Sequence, residues 1–360
     1  MQVVIIVMNG NLELITMTNE TKDTSKSAPV AAPAIVAVDD GYAQVKLYGD
    51  GEGAPVIRSL RSSVRNGRHS IGELSGDGAI SSYTTEEGQQ YTVSDLVKGE
   101  STQFDGFHTS PMNRVLINHA LIEAGYSGKP VVLWAGLPVG DFYEGSTKNQ
   151  AAIDAKIANL RRAVTSDVPG GPVPAELVDI RIGCQAVSAF VDWFIDDDFN
   201  ERDVDISRVA VVDIGGRTTD IALILNGSAF DPSRSGTENI GALDVHASLN
   251  ALVNSEFRTR DAYSAAMLDK AARTGEIRLW GKTHDITHLV NAAVAEHRAN
   301  LERCIRQRLG GASDIDAVIF VGGGSGLFRG IEEMFPHGAI ASDPEFSNAR
   351  GLYKYAKVFG

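Results

Sequence analysis

"VVDIGGRTTDIALI", residues 211–224, is the stretch of sequence that decides the fold. An apolar run ends on Asp213, passes two glycines and two threonines, and then becomes apolar again. This pattern is typical of two buried strands that are joined by a tight turn. The turn leaves a carboxylate at the end of a buried strand, where a lone charge is costly unless a partner stabilises it.

A second stretch, "AIVAVDDGYAQVKLYG" at residues 34–49, has the same shape. Strands are predicted at 35–38 and 44–47, with Asp39 at the end of the first and Lys46 on the second. Either stretch alone is equally compatible with an ordinary hairpin that turns on Asp and Gly. The presence of both indicates a chain of two similar halves, each of which contributes to one site.

The turns have the composition of phosphate-binding loops. Gly215 and Gly216 allow backbone N–H groups to point inward as a nest for phosphate oxygens, and Thr218 adds a hydroxyl donor. In the first hairpin, the backbone around Gly41 offers the same nest, and Lys46 reaches back toward phosphate.

The two carboxylates, Asp39 and Asp213, would repel a phosphate group unless a divalent cation lay between them. Mg²⁺ keeps several waters and prefers carboxylates together with substrate phosphates. The sequence therefore predicts that Asp39 and Asp213 hold Mg²⁺ through water.

A third glycine-rich stretch, "VIFVGGGSGLF", covers residues 318–328. Gly322, Gly323 and Gly324 follow a buried strand and allow a ribose or a phosphate to approach the backbone closely. No Gly-Lys-Ser/Thr sequence follows, so this is not a Walker loop. A helix is predicted directly afterwards, from an apolar face made of Leu327, Ile331, Met334 and Phe335.

Composition limits the classes of function. The net charge of -13 argues against direct contact with nucleic acid or an anionic membrane, because both require a basic surface. The 2 cysteines fit a reducing cytoplasm and no disulfide framework. No apolar run has the length that spans a bilayer. We therefore expect a cytoplasmic protein without membrane contact.

Strands that alternate with helices predict the α/β class and two domains. We expect a disordered tail at 1–33, a first domain at 34–203 plus 339–360, and a second domain at 204–338. A small β-rich subdomain is predicted as an insertion at about 49–110. Further strands are predicted at 130–138, 173–182, 208–216 and 317–324, and helices at 114–124, 148–164, 185–196, 241–275 and 289–309.

The order of these motifs resembles the superfamily of actin, the seventy-kilodalton chaperones and the sugar kinases. Within it, the chain is most similar to the bacterial plasmid-segregation actins of the ParM (StbA) type. The motifs are "VDDGYAQVKL", "LPVGDFY", "IGCQAVSAF", "VVDIGGRTTDIALI" and "VIFVGGGSGLF", and the resemblance covers residues 34–360. It implies an actin-like ATPase fold with two duplicated ribonuclease H-like halves and a nucleotide cleft between them.

The resemblance also assigns roles to the residues. It implies that Asp39 and Asp213 flank the Mg²⁺–phosphate group and that Gly322–Gly324 pass beside the adenosine of ATP. Gln185 matches the residue that orients the attacking water in eukaryotic actins, whereas many ParM-type proteins have Glu near this point. A neutral Gln orients water but is a poor base, so slow hydrolysis through positioning is expected. Its alternative role is that of a polar residue at a helix N-terminus.

Tyr42 is another departure, because actins tend to place a small hydroxyl residue at this point of the first turn. A bulky ring there leads us to expect that the side chain points away and leaves backbone N–H groups to hold phosphate. Asp220 ends the second hairpin where the family often has an acid, and its alternative role is a structural one.

The remaining polar residues suggest little chemistry. His246, His284, His288 and His297 lack metal-ligand spacing, and the acids at 196–198 are interpreted as the solvated end of a helix. Glu238 and Gly241 are predicted to start a helix and could face the nucleotide.

The fold alone leaves several functions open. The first hypothesis is an ATPase that polymerises head to tail and segregates plasmid DNA through a DNA-binding adaptor on a centromere-like site. The second is a small-molecule kinase, for which Asp141 and Asp179 are candidate bases without a motif around them. A chaperone-like ATPase is less favoured, because no substrate-binding domain follows residue 360, and a membrane-anchored divisome relative is disfavoured by the absence of an amphipathic anchor.

Overall fold

The computed structural model describes residues 32–70, 81–95, 99–204 and 207–360. All but the last two residues of the predicted tail at 1–33 lie outside the described residues. The strands are β1 Ala34–Asp40, β2 Gln44–Gly49, β3 Val56–Arg61, β4 Val64–Asn66, β5 Ser81–Thr85, β6 Gln90–Val93, β7 Pro130–Leu137, β8 Tyr143–Glu144, β9 Thr147–Lys148, β10 Val164–Ser166, β11 Glu176–Cys184, β12 Arg208–Ile214, β13 Thr219–Leu225, β14 Ala229–Phe230, β15 Gly236–Glu238, β16 Glu276–Leu279, β17 Lys282–Asp285, β18 Ala317–Val321 and β19 Gly338–Ile340.

The α-helices are α1 Pro111–Glu123, α2 Val139–Phe142, α3 Gln150–Arg161, α4 Gln185–Phe194, α5 Ala242–Phe257, α6 Ala265–Thr274, α7 Thr287–Leu309 and α8 Ser347–Phe359. Short 3₁₀ turns lie at Phe107–Thr109, Glu332–Met334 and Pro344–Phe346. None of these helices combines the length and the apolar character needed to cross a bilayer.

The first sheet has the strand order β11-β7-β1-β2-β3. Strands β1, β7 and β11 run parallel, and β1 turns back into antiparallel β2 through the first Asp hairpin. In this register Asp39 lies opposite Lys46. The central parallel strands β1 and β7 are mostly buried and apolar, as expected for an α/β sheet that helices cover, whereas β11 is partly exposed.

The second sheet repeats this plan, in the order β14-β13-β12-β18-β19, with β15 added beside β13. Strands β12, β18 and β19 are parallel, and β12 turns back into antiparallel β13 through the second Asp hairpin. Here Asp213 lies opposite Asp220. The two similar halves predicted from the sequence are therefore present, and the α/β class is confirmed.

Helix α4 connects the halves. It begins where β11 ends, and its apolar residues share a core with both strands of the second hairpin and with β18. Helix α8 returns from the second half to pack on α4 and on β1. Their contact is close at Gly351, where any side chain would overlap the backbone of Ser188.

The small sheet has the order β10-β5-β6-β4. Its strand β10 comes from residues 164–166, which lie outside the predicted insertion at 49–110. Strand β3, which lies inside that range, pairs in the first sheet instead. The predicted insertion therefore does not correspond to one sheet. Likewise, β19 pairs with β18 in the second sheet, so the predicted boundary after residue 338 falls within a strand.

One helix prediction was wrong. The segment after Gly324 forms turns and a single 3₁₀ turn, because Gly326 and Gly330 interrupt it and Gly330 adopts φ 75°. Its apolar residues are nonetheless buried, so the spacing indicated burial and not a helix. The helical segments predicted over 241–275 are confirmed as two helices, and the first ends at Arg258 in a left-handed conformation.

Candidate functional site

The turns of the two Asp hairpins lie against each other. A side chain on Gly216 would come within 2.7 Å of the Ala43 Cβ atom, so only glycine permits this approach. Next to the contact, a cavity of about 460 Å³ lies between the two halves. Its walls include Lys46, Gly215, Gly216, Gly323 and Gly324, and thus residues from all three predicted loops.

Asp39 is nearly fully buried and is bound by two side chains of the first half. The Lys46 Nζ atom lies 3.4 Å from Asp39 Oδ2, and the Gln185 Nε2 atom donates to Asp39 Oδ1 at 3.0 Å. Gln185 reaches Asp39 because it occupies the first turn of α4, at the edge of the sheet where β1 also ends. The structure therefore brings together three residues that the sequence predicted for one site.

The neighbouring Asp40 has a separate role, because successive residues of a strand face opposite sides of the sheet. Its carboxylate binds the Lys156 ammonium at 2.7 Å and accepts from Asn113 Nδ2 at 2.7 Å. Burial opposes its ionisation, but Lys156 and His108 outweigh that effect and lower the pKa of Asp40 to about 2. This buried network anchors β1 to α1 and α3, and it fixes which of the two acids faces the cleft.

Asp213 has no cationic side chain bound to it within the described residues. Its Oδ2 atom accepts one hydrogen bond, from Asn348 Nδ2 at 2.7 Å. Burial, followed by the negative charge of Asp39, raises the pKa of Asp213 to about 6. Two carboxylates held this close favour a cation between them. The two acids lie beside the glycine turns. Their oxygen atoms therefore fit an Mg²⁺ ion that is bound together with a phosphate group.

Asp220 joins the second hairpin to the first half. Its Oδ1 atom accepts from the backbone N–H of Val139 at 2.8 Å and from the hydroxyl of Thr237. Burial, followed by the charge of Asp213, raises the pKa of Asp220 to about 7. Val139 begins the short helix of the "LPVGDFY" motif, so this acid fastens that motif to the second sheet.

The second turn differs in detail from the predicted nest. The N–H group of Gly215 donates to the carbonyl of Thr218 at 2.8 Å and is therefore not available for phosphate. The carbonyl groups of Gly215 and Gly216 instead accept from the first N–H groups of α5. Among the glycines of this turn, only Gly216 retains a backbone N–H without a partner in the described part of the chain.

The third loop, Gly322–Gly324, packs against the Asp213 carboxylate and forms one wall of the cavity. Gly322 has φ 85°, and a side chain at this position would overlap the Asp213 carboxylate. Its N–H donates to the carbonyl of Pro344 at 2.7 Å. Gly323 and Gly324 line the cavity, and the guanidinium of Arg273 donates to the Gly323 carbonyl at 3.3 Å.

Tyr42 is directed into the first half, as the sequence led us to expect. Its ring is buried against Phe107 and His108, with centroids 5.1 and 4.9 Å away. The guanidinium of Arg217, from the second turn, covers the ring at 5.3 Å and donates to Asp105 at 2.7 Å. Arg217 therefore ties the two turns together, a function that the sequence analysis did not assign.

Other predicted candidates lie away from the cavity. Asp141 is exposed on α2, and Asp179 lies on β11 with Arg181 bound at 2.9 Å; neither contributes to the cavity wall. Glu238 does not start a helix: it ends β15 and pairs with Arg308, whereas Gly241 caps α5. Within the described residues, no group of three or more His, Cys, Asp or Glu side chains is placed to hold a metal ion.

Two residues of the site were missed by the sequence analysis. Asn348 binds Asp213 from α8, and Arg273 extends from α6 to the glycine loop. Neither belongs to a local motif, because the chain brings both into place only through long-range packing.

Comparison with protein families gives one match in each half of the chain. Residues 34–172 match the N-terminal model of the plasmid segregation protein ParM. Residues 211–332 match the C-terminal model of the archaeal actin homologue MreB-like family. Comparison with curated protein sequences finds no match.

Solved structures share the fold over almost the whole chain. Ta0583, an archaeal actin homologue, has a TM-score of 0.69 at 22% identity, and the match covers 90% of this chain and 99% of that one. Ta0583 has also been solved in complex with ADP. A 15-stranded ParM filament from Clostridium botulinum has a TM-score of 0.70 at 17% identity, covering 91% of this chain and 99% of that one.

The two family matches follow each other in the order of the two sheets, and each one includes an Asp hairpin. The actin-like two-domain fold expected from the motifs is therefore confirmed. The chain has the actin-like fold, with a first half similar to ParM and a second half similar to archaeal actin homologues.

Proposed function

We propose that this chain is an actin-like ATPase that binds ATP with Mg²⁺ between its halves and polymerises into dynamic filaments. We further propose that the filament segregates plasmid DNA in the cytoplasm through a DNA-binding adaptor on a centromere-like site. The observation that carries the first proposal is the meeting of both Asp hairpins at one cavity. The archaeal homologue with ADP and the ParM filament support it as proteins of the same fold.

In this proposal, both halves contribute residues to the nucleotide site. Lys46 and the N–H of Gly216 bind phosphate, and Asp39 and Asp213 hold the Mg²⁺ that offsets their charges. When bound, Mg²⁺ neutralises charge on the phosphate oxygens. Gln185, whose amide is fixed by Asp39, orients the attacking water. Gly323, Gly324 and Arg273 form the wall beside the nucleoside.

A nucleotide held by both halves stabilises the inter-domain angle at which both turns reach the phosphates. Loss of the terminal phosphate removes part of that contact, so hydrolysis shifts the equilibrium between two shapes. Assembly that depends on one of the shapes is then controlled by the nucleotide. The acidic net charge of -13 supports an adaptor as the DNA-binding component.

Light scattering of the purified protein tests this proposal. Addition of ATP and Mg²⁺ should produce a concentration-dependent rise that later decays, while ADP gives no lasting signal. Sedimentation of the same samples should place the protein in the pellet only during the rise.

The alternative in the same superfamily is a small-molecule kinase. A flat scattering trace together with measurable ATP turnover would contradict the filament and favour the kinase. The ion pair of Asp179 with Arg181 at 2.9 Å weighs against Asp179 as the base of a kinase, because a base must be free to reach the substrate hydroxyl beside the phosphate.

A further inference from the structure

The hairpin β16–β17 carries an unusual tip. The register of Leu279 with Lys282 leaves Trp280 and Gly281 as a two-residue turn. Both have positive φ, 48° and 77°, a conformation for which such turns normally use Asn or Gly. A Trp in this position costs free energy in the isolated fold, so the stability of the hairpin does not explain it.

Trp280 is also highly exposed. Its relative exposure of 69% is the largest among the large hydrophobic residues that the structure describes. Its ring lies edge-on to Phe257 and His284, with centroids 6.2 and 6.3 Å away. Exposed tryptophans are enriched among residues that dominate the energetics of protein interfaces.

The tip is basic around the tryptophan. Arg278 and Lys282 flank Trp280 in the sequence "RLWGK", residues 278–282, which contains no acid. Neither cation forms an ion pair with another described residue. On a chain with a net charge of -13, such a tip is complementary to much of the remaining surface.

A surface of opposite character occurs at 196–204, "DDDFNERDV", which contains five acids and one Arg. Phe199 and Val204 are exposed there, by 41% and 40%. Beside them is a surface cavity of about 320 Å³, lined by Tyr48, Tyr353 and Phe199 together with Asp50 and Asp197. Asp198, Glu201 and Asp203 form no ion pair with the described residues. Asp197 and Asp50 are paired with Lys354 and Lys357, so the surface combines an aromatic cavity with neighbouring acids that have no ion-pair partner among the described residues.

These two surfaces lie on opposite sides of the sheets. The parallel strands end at the phosphate turns, and the segment at 196–204 leads from the end of α4 back to the start of β12, at the opposite edge. In contrast, the hairpin follows α6, whose residues Asp269 and Arg273 line the nucleotide cavity. The hairpin therefore begins beside the cleft, and the acidic surface is on the far side.

We propose that the Trp280 tip of one copy of this chain docks on the 196–204 surface of the next copy. The indole enters the aromatic cavity, and Arg278 and Lys282 face the acids Asp198, Glu201 and Asp203. A contact between two different surfaces at opposite sides is heterologous, so it propagates into a filament when the rotation does not close. This inference rests on the proposed function, because it names the contact by which the filament grows.

The test compares Trp280→Ala with Val173→Ala, a matched control at another strongly exposed apolar residue, at 64% exposure. The critical concentration for assembly with ATP and Mg²⁺ is measured by sedimentation, and ATP binding by calorimetry. Trp280→Ala should raise the critical concentration at least ~10-fold, which corresponds to ~1.4 kcal/mol, because tryptophan is enriched among the residues that dominate interface energetics. It should leave ATP affinity unchanged, since Trp280 is not part of the cavity wall.

An unchanged critical concentration in Trp280→Ala, with wild-type assembly intact, would overturn this inference and leave the proposed function standing. Failure of the wild-type chain to assemble would overturn both.

Charge reversal tests the pairing of the two surfaces. The double variant Arg278→Glu/Lys282→Glu should assemble poorly, and adding Asp198→Lys/Glu201→Lys to the same chain should restore assembly. If the combined variant remains defective while it still binds ATP, the pairing with residues 196–204 is wrong.

Discussion

The two Asp hairpins have the same backbone plan but opposite charge balance. In the first, Asp39 is bound by the Lys46 ammonium and by the Gln185 amide. In the second, Asp213 has only the neutral amide of Asn348, and burial together with Asp39 raises the pKa of Asp213 to about 6. The first half thus supplies its own counter-charge, whereas the second half holds a carboxylate that lacks one.

This difference indicates what each half contributes. The first hairpin is complete without ligand, because its acid, its lysine and its glutamine bind one another. The second becomes electrostatically favourable only when a cation arrives, and phosphate is the group that brings Mg²⁺. The nucleotide therefore compensates an imbalance already present in the fold, and five predictions test this view in order of decreasing effect.

The largest effect is expected on ATP turnover when the unbalanced acid is neutralised. Asp213→Asn should lower turnover roughly 10²–10³-fold, because a metal ligand contributes several kcal/mol of charge stabilisation in the transition state. A phosphate-release assay measures the change, with thermal unfolding as a control for the fold. Turnover within a factor of two of the wild type would show that Asp213 does not hold the metal.

The glycine loop that packs against Asp213 should be nearly as sensitive to substitution. Gly322→Ala introduces a side chain that overlaps the Asp213 carboxylate at φ 85°, so we expect a loss of about 3 kcal/mol in the free energy of unfolding. Gly330 is the matched control, since it has φ 75° but no atom closer than 3.6 Å to an added Cβ. Gly330→Ala should cost about 1 kcal/mol, from backbone conformation alone. If chemical denaturation gave the same loss in the free energy of unfolding for both variants, the close contact between Gly322 and Asp213 would not explain it.

The comparison of the hairpins predicts opposite stability effects in the nucleotide-free protein. Asp213→Asn should stabilise it at pH 7 by about 2 kcal/mol, because a pKa raised to about 6 penalises the ionised form. Asp39→Asn should destabilise it by about 1–2 kcal/mol, because it leaves Lys46 buried without its counter-charge. Denaturant titrations of the two variants, measured side by side, check the sign; two changes of the same sign would contradict the difference between the halves.

The pH dependence follows from the same raised pKa. Asp213 contributes its stabilisation fully below the unfolded pKa of about 3.9, and this contribution is lost as pH rises through about 6. The nucleotide-free wild type should therefore lose stability over this range, and Asp213→Asn should lose less. Parallel curves for the two proteins would argue against the raised pKa.

The smallest effect concerns the water. Gln185→Ala should slow hydrolysis about 10-fold, which corresponds to ~1.4 kcal/mol, while ATP affinity changes little. Filaments of the variant should accordingly persist longer in light scattering. A wild-type rate in single-turnover measurements would assign the positioning of water to another residue.

The sequence predicted the hairpins well because their signal is local. Both place an Asp between an apolar strand and a glycine turn, and the structure shows each pair of strands where expected. Long-range contributions left no such signal: Asn348 reaches Asp213 only because α8 packs on α4, and β10 joins the small sheet from a distant position.

The wrong helix after Gly324 shows the limit of periodicity. Leu327, Ile331 and Phe335 are buried in the core of the second half, so their spacing reported burial correctly. Glycines within the segment and Pro336 after it outweighed the apolar pattern and produced turns. The adjacent acids Asp39 and Asp40 point to opposite faces of the sheet, because successive residues of a strand alternate. Lys156 binds Asp40, which faces away from the cleft.

The central claim is that one cation, placed between Asp39 and Asp213, allows both halves to hold the nucleotide. Calorimetric titration of ATP into the wild-type chain, with Mg²⁺ and with excess chelator, tests this most directly. The account predicts tight binding with Mg²⁺, much weaker binding without it, and loss of this difference in Asp213→Asn. Equal affinity of the wild type in both conditions would contradict it.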